Sequence, residues 1–374
     1  VSVIEGVMGY YDGAGLTSEK ASSYEVAKVS RTPVVLVVNA RGAALSLLPV
    51  IQGFLHFRAS SGIRGVILNQ CTAMTYGALK PCIEAQCGIR CYGFLPRVAE
   101  AEVGSRHLGL ITADEVADLQ EKMQKLAAQA EKSIDLDGLL ALSQEAPPLD
   151  YEPIVISEKD PIRVAVARDN AFCFYYEDNL DLLKKLGARI RYFSPIRDQE
   201  IPPEASALYL GGGYPELHAK ALSENKTMLS SIREAIRNRM PCIAECGGYL
   251  YLKESIEDPD GKRWEMTSVL PGSSQDTGKL GRFGYITVTA KKGGLLGPEG
   301  TQFRAHEFHH WDSPENGTDF QAKKPVGTRG WECGYTTESF YAGFPHLYFY
   351  SNPEIAEHFV KQAQSWREAP QRMT

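Results

Sequence analysis

The sequence predicts an α/β protein of two doubly wound, mostly parallel-sheet domains, the first truncated at its N-terminus. Residues 32–40 and 65–70 are unbroken runs rich in β-branched side chains. Such runs are typical of strands buried on both faces of a parallel sheet. A helical pattern over residues 43–58 lies between them, and this alternation of strand and helix is typical of doubly wound sheets.

The length of the chain and the positions of its prolines indicate two domains. The 374 residues are 43% hydrophobic, which is enough for two sizeable cores. The alternation stops in the proline-spaced residues 138–150 and restarts at the strand-like residues 162–167. We therefore predict domains over residues 1–150 and 151–374.

Charge and hydropathy exclude several kinds of partner. The formal net charge of −6 argues against nucleic acid or an anionic membrane surface. No segment reaches the ~18 consecutive apolar residues of a membrane span. The chain does not open on a basic and then apolar leader, so we predict a cytoplasmic protein.

The eight cysteines show no repeated framework and are predicted to be reduced thiols. Cys82, Cys87 and Cys91 are close together, but their spacing matches neither a zinc nor an iron–sulfur pattern. A metal site there is therefore the less favoured interpretation.

The first domain is predicted to open on a strand at residues 1–4, followed by Glu5 and a glycine-rich loop. A carboxylate at the end of a strand suits a magnesium ion on a nucleotide phosphate, although these residues taken alone favour an ordinary strand-to-loop turn. Further along, we predict a strand over residues 91–97 and a helix over residues 112–135.

In the second domain we predict strands over residues 162–167, 190–193 and 208–210 and a helix over residues 180–186. Residues 287–292 and 303–310 are more typical of antiparallel strands. The latter run contains His306, Glu307, His309 and His310, but it lacks the H-E-x-x-H spacing that places two imidazoles on one helix face. We therefore interpret it as structural or substrate-facing.

The main candidate for chemistry is Cys246. A short apolar run ends in Cys246-Gly247-Gly248 and an amphipathic segment follows, which predicts a strand turning sharply into a helix. Such a turn exposes a nucleophile beside the helix N-terminus, where the thiolate is favoured. A buried structural cysteine is the alternative.

Two other stretches supply partners for this thiol. A strand-like run ends in Gly211-Gly212-Gly213, whose amides could hold an oxyanion together with the amide of Gly247. One hundred residues after the cysteine, His346 lies in an aromatic, strand-like run and could act as its general base. A histidine with a purely structural role is the alternative.

These stretches resemble the class I glutamine amidotransferase domain and, more narrowly, the cobyrinic acid a,c-diamide synthase family of cobalamin biosynthesis. The resemblance extends over nearly the whole chain, in the order of the family. The matching stretches are residues 3–9, 11–13, 171–180, 209–218, 244–252, 305–309 and 351–354.

For the second domain, the resemblance implies glutamine hydrolysis. Cys246 would attack the side-chain amide of glutamine and His346 would serve as base and acid. Gly212, Gly213 and Gly247 would hold the oxyanion, and the ammonia would pass to the ATP-binding domain.

For the first domain, the resemblance implies an ATP-binding domain related to dethiobiotin synthetase. Glu5 would bind the magnesium that accompanies ATP, Asn69 would meet the adenine, and Asp12 would lie near the phosphates or the substrate carboxylate. The ammonia would amidate an activated carboxylate, twice, on the a and c acetates of a tetrapyrrole, cobyrinic acid. A homodimer is left open.

The sequence departs from the family at two points. No G-x-x-x-x-G-K-[ST] motif occurs, so we expect the P-loop segment to be missing and the ATP-dependent half not to work in this chain as printed. Many class I relatives place Glu two residues after the catalytic histidine, and the diamide synthases commonly place His there. Here that residue is Tyr348, so Cys246 and His346 are expected to form a dyad.

Two alternatives remain. A related enzyme amidates nickel sirohydrochlorin, and the motifs do not separate the two metals. A non-catalytic binding module of the same fold is the other alternative, favoured by the missing P-loop and opposed by Cys246, the glycine loop and His346.

Overall fold

The computed structural model describes residues 1–6, 8–103, 116, 118–152 and 161–369. The chain divides into two compact units, Val1–Glu152 and Pro153–Thr374. ATP binding by the first domain and glutamine hydrolysis by the second remain predictions from the sequence.

The first unit contains a parallel sheet, which within the described residues has three strands in the order β1-β2-β3. Its elements are α1 (Ser23–Ser30), β1 (Val34–Asn39), α2 (Leu47–His56), β2 (Ile63–Asn69), α3 (Ala73–Cys87), β3 (Arg90–Leu95), a 3-10 turn (Ala99–Ala101), α4 (Leu119–Ser133) and α5 (Leu136–Ser143). The strands follow chain order, so the described part of this unit lacks the order reversal of a doubly wound sheet. The predicted strands at residues 32–40, 65–70 and 91–97 are confirmed as β1, β2 and β3.

Two predictions for the first unit are wrong. Residues 1–4 do not form a strand, and Val3 is 92% exposed, because these residues pair with no other strand of the described chain. The run at residues 32–40 is not buried on both faces, since Val37 of β1 is 62% exposed. That face of β1 lacks a covering element among the described residues.

The predicted helix over residues 112–135 is observed as α4, which begins at Leu119. The predicted start at residues 112–115 lies outside the described residues. The proline-spaced residues 138–150 are not entirely irregular, because α5 extends to Ser143.

The second unit carries most of the strands and is a mixed α/β structure. Its helices are α6 (Glu177–Lys185), α7 (Ala219–Glu224), α8 (Lys226–Arg237), α9 (Gly247–Tyr251) and α10 (Glu354–Glu368). Its strands are β4 (Ile162–Ala167), β5 (Ala188–Phe193), β6 (Ala207–Leu210), β7 (Cys242–Glu245), β8 (Ser255–Glu257), β9 (Arg263–Glu265), β10 (Ser273–Asp276), β11 (Arg282–Ala290), β12 (Gln302–His309), β13 (Trp311–Asp312), β14 (Phe320–Lys323), β15 (Gly330–Cys333), β16 (Tyr335–Thr337), β17 (Phe340–Gly343) and β18 (His346–Leu347).

The central sheet of this unit is doubly wound, as predicted. Among the described residues it has the order β16-β17-β7-β6-β4-β5, with parallel pairing from β17 to β5. The chain moves outward from β4 to β5 and then returns to β6 on the other side of β4. Ligands of such sheets bind at the carboxyl ends of the strands.

Both faces of the central sheet are covered, which explains its apolar strands. One face packs against α6, α10 and the antiparallel pair β11 and β12, and the other against α8 and α9. The predicted antiparallel strands at residues 287–292 and 303–310 are confirmed as β11 and β12, which lie in a sheet of order β15-β14-β11-β12-β18 within the described chain. A second small sheet has the order β13-β10-β8-β9.

Each helix in the described ranges is too short or too polar to cross a lipid bilayer.

Candidate active site

Cys246 lies at the turn between β7 and α9 and has a strained backbone, with φ 47° and ψ −106°. A positive φ is unfavourable for a residue with a side chain and is found mainly where the surrounding structure enforces it. The strand-to-helix turn predicted from Cys246-Gly247-Gly248 is therefore present, and it carries the geometry of a nucleophile turn.

The neighbouring strands hold this turn on both sides. The Cys246 amide donates to the carbonyl of Gly343, at the end of β17, over 2.9 Å. The Gly248 amide donates to the carbonyl of Gly211, just after β6, also over 2.9 Å. A Cβ atom on Gly248 would lie 2.1 Å from the carbonyl oxygen of Leu210, so only glycine fits there.

The glycine loop after β6 brings a second amide to the turn. A Cβ atom on Gly247 would lie 2.9 Å from the backbone nitrogen of Gly213. In the described part of the chain, no backbone carbonyl accepts a hydrogen bond from the Gly213 amide. The Gly247 amide forms a hydrogen bond with the Cys246 sulfur. Two amides are thus grouped beside the thiol.

His346 begins β18 and lies against the same glycine loop. A Cβ atom on Gly212 would lie 2.3 Å from Cε1 of the His346 ring. Cys246 and His346 therefore both lie at the carboxyl edge of the central sheet, next to the loop that follows β6. No hydrogen bond joins the thiol to the imidazole among the described residues, and such catalytic bonds often tighten only when substrate binds.

The surroundings favour the neutral forms of both groups. Burial raises the pKa of the Cys246 thiol above its ordinary value, with a further increase from the nearby Glu216, while the hydrogen bond from Gly247 acts in the opposite direction. Loss of hydration lowers the pKa of His346 to about 3, helped by His306 and His309. The resting pair is a thiol and a neutral imidazole, the state in which the imidazole can accept a proton.

Two buried side chains that the sequence did not single out as functional hold the residue after His346. The Leu347 amide donates to Glu245 Oε1 over 3.0 Å, and Asn179 Nδ2 donates to the Leu347 carbonyl over 2.7 Å. Asn179 Oδ1 also accepts from the Phe349 amide. Burial raises the pKa of Glu245 to about 8. Their positions on either side of Leu347 fix the backbone that carries the imidazole.

Tyr348, at the position where many relatives have an acid, does not orient the imidazole. Its hydroxyl donates to Asp178 of α6 over 3.1 Å. Glu354, another nearby acid, is exposed at the start of α10. Within the described chain no carboxylate is hydrogen-bonded to the His346 ring.

The residues predicted to bind nucleotide do not form a connected group among the described residues. Glu5 and Asp12 are exposed, and Asp12 accepts a hydrogen bond from the Gly9 amide over 3.2 Å. Asn69 lies at the carboxyl end of β2, as predicted, and its side-chain oxygen accepts from the Gln70 amide. Among the described residues, no hydrogen bond or ion pair joins any two of these three.

Magnesium is not accommodated by the side chains in place. Across the described ranges, no three His, Cys, Asp or Glu side chains are grouped to hold a metal ion, and Glu5 is exposed. A hard cation needs several oxygen ligands, and the described side chains around Glu5 do not supply them.

The doubly wound sheet, the strained cysteine and the late histidine define a glutamine amidotransferase domain, and residues 163–353 match the CobB/CobQ-like glutamine amidotransferase domain family. The chain is 38% identical over 370 residues to the cobyrinate a,c-diamide synthase of Caldanaerobacter subterraneus subsp. tengcongensis, covering 98% of this chain and 81% of the relative. It is 38% identical over 362 residues to that of Listeria innocua, covering 95% and 80%.

The chain belongs to the cobyrinate a,c-diamide synthase family, whose members are amidating ligases. A solved structure, PurLQS from Thermotoga maritima, matches with a TM-score of 0.40 and 13% identity, over 56% of this chain and 100% of that one.

The protonation state of Cys246 can be tested with iodoacetamide. We expect the alkylation rate of this residue to keep rising with pH up to about pH 9, because burial raises the pKa of the thiol above the ordinary 9.0. The rate is measured by mass spectrometry of the Cys246 peptide. A plateau below about pH 7, as seen for thiolates paired with imidazolium, would contradict a neutral resting pair.

The contact between Gly212 and His346 can be tested with Gly212→Ala. The added methyl group would displace the imidazole, and we expect kcat/KM for glutamine hydrolysis to fall by about tenfold or more. The matched control is Gly281→Ala, whose added Cβ would meet only an ordinary contact with Asp312 at 3.7 Å. Equal activities of the two variants, both folded by circular dichroism, would show that His346 needs no such space.

Proposed function

We propose that the second unit hydrolyses glutamine through Cys246 and His346, and that the protein uses the ammonia to amidate the a and c acetate carboxylates of cobyrinic acid. The observation that carries the proposal is the placement of the strained Cys246 beside the Gly213 and Gly247 amides, with His346 against the same loop. Acyl transfer needs this combination of nucleophile, oxyanion donors and base.

In the proposed first step, the Cys246 sulfur attacks the side-chain carbonyl carbon of glutamine and His346 takes the thiol proton. The developing oxyanion accepts hydrogen bonds from the Gly213 and Gly247 amides, with Gly212 shaping the loop. When this intermediate collapses, the C–N bond breaks and His346 returns the proton to the departing ammonia. Water then cleaves the thioester to glutamate and restores the thiol.

The proposed second half consumes ATP. A substrate carboxylate takes the γ-phosphoryl group of ATP, which gives an acyl phosphate and ADP. Ammonia attacks the acyl carbon and phosphate leaves, so that an amide replaces the carboxylate. Activation is needed because a free carboxylate is a poor acyl donor in water. In this proposal Asn69 meets the adenine and Asp12 lies near the phosphates or the substrate carboxylate. The relatives named cobyrinate a,c-diamide synthase support the choice of tetrapyrrole.

The glutaminase half is tested by replacing the nucleophile. In Cys246→Ser we expect glutamate release to fall by at least about 10³-fold, because a serine hydroxyl without a strong base is a far weaker nucleophile than cysteine. The control is Cys82→Ser in α3, whose thiol donates a hydrogen bond to the Ala78 carbonyl of the same helix. Wild-type glutamate release equal to that of Cys246→Ser, with or without ATP and tetrapyrrole, would contradict the proposal.

The substrate assignment has a separate readout. Because no G-x-x-x-x-G-K-[ST] motif occurs in this chain, the assay uses the chain extended by a P-loop segment, with glutamine and ATP present. We expect mass spectrometry to detect amide products of cobyrinic acid and none of nickel sirohydrochlorin. A product from nickel sirohydrochlorin and none from cobyrinic acid would replace the substrate while leaving the glutaminase proposal in place.

A further inference from the structure

A buried group of charged side chains lies on the inner face of β11 and β12, outside the thiol site described above. Glu307 is 0% exposed, and its Oε1 lies 3.5 Å from Nε2 of His309 and 3.7 Å from Nη1 of Arg282. Arg282 and His309 are direct cross-strand partners, and Gly284 lies opposite Glu307. We call Arg282, Glu307 and His309 the β12 cluster.

The His309 ring is held in place at Nδ1, which lies 2.7 Å from the carbonyl oxygen of Trp311. Its other ring nitrogen, Nε2, lies 3.5 Å from Oε1 of Glu307. These two contacts fix the orientation of the ring within the β12 cluster.

The β12 cluster is connected to the thiol site through Phe344. The His309 ring stacks on Phe344 with centroids 3.7 Å apart and an interplanar angle of 5°. Phe344 also packs edge-on against Tyr249 of α9, at 5.0 Å. Since Gly343 binds the Cys246 amide and His346 follows three residues later, the stack holds the segment between nucleophile and base.

The strands make a second connection. β12 pairs with β18 at His306 and His346, directly beside Glu307. Burial is the main cause of the raised pKa of the Cys246 thiol, and the acids that add to it are Glu216, Glu307 and Glu245. The groups that act on His346 are His306 and His309. Through this pairing, β12 lies directly beside the strand that carries His346.

We propose that Arg282, Glu307 and His309 are positioning residues of the glutaminase site, which fix the segment 343–346 through Phe344 and set the charge that the Cys246 thiol faces. This inference rests on the proposed function. Because Glu307 is fully buried, it acts through its neighbours and not by touching glutamine. Arg282 offsets the charge of Glu307, so the two side chains act on the thiol with opposite signs.

Because Glu307 and Arg282 carry opposite charges, removing each one is expected to change the alkylation rate of Cys246 in opposite directions. Glu307→Gln removes a negative charge near the thiol and should speed alkylation of Cys246 by iodoacetamide at a fixed pH below the thiol pKa. Arg282→Gln removes the offsetting positive charge and should slow it. A shift of about half a pKa unit changes the thiolate fraction about threefold, and we expect changes of that size. The control is Glu299→Gln, an exposed acid in a turn.

Rates are measured on the Cys246 peptide of the whole chain, with circular dichroism to confirm folding. A faster Glu307→Gln and a slower Arg282→Gln support the inference. Changes of the same sign in both variants, or rates equal to that of Glu299→Gln, overturn it. If Glu307→Gln does not fold, Arg282→Gln decides alone: slower alkylation supports the inference and an unchanged or faster rate overturns it. Alkylation of Cys246 does not require catalytic turnover. A wild-type protein without glutaminase activity would therefore contradict the proposed function but would leave the alkylation test of this inference valid.

Discussion

The second unit depends on one backbone constraint: the chain must pass from β7 into α9 at Cys246 with a positive φ. A residue with a side chain pays roughly 1–3 kcal/mol for such a conformation. The cost is offset because β7 is a central strand, hydrogen-bonded to β6 and to β17, and both neighbours also bind the turn itself through Gly211 and Gly343. The same constraint explains the glycines: Gly247 and Gly248 lie so close to the glycine loop and to Leu210 that a Cβ atom would clash.

Residue type and spacing were sufficient to predict the turn, the glycine loop and the late histidine, because each feature is local. The supports of the site could not be predicted in this way. Asn179 binds the carbonyl of Leu347 across 168 residues of sequence, and nothing near Asn179 distinguishes it from an ordinary polar residue of a helix. Glu307 and His309 were visible as a charged run in a strand, but their inward orientation depends on the register of β11 and β12. The signal that could have found them is period-2 alternation, since Ala305, Glu307 and His309 share one face.

In the first unit, local sequence patterns predicted a strand and a buried face that the described tertiary structure does not contain. Residues 1–4 have the β-branched side chains of a strand, yet a strand is stable only when its backbone groups are paired. In the described chain these residues have no such partner. Val37 illustrates the same limit, because an unbroken apolar run predicts burial on both faces but does not supply the element that covers the second face.

The charges around Cys246 explain why a neutral resting pair is the stable one. Burial disfavours the charged thiolate, and the negative charges of Glu216, Glu307 and Glu245 disfavour it further. His346 is likewise kept neutral by burial and by neighbouring histidines. A permanent thiolate–imidazolium pair would therefore oppose both environments, whereas a thiol that gives up its proton only as the sulfur bonds to a carbonyl carbon moves the negative charge to the oxyanion. In the proposed reaction, the acids favour the neutral thiol at rest, and the amides of Gly213 and Gly247 stabilise the oxyanion once attack begins.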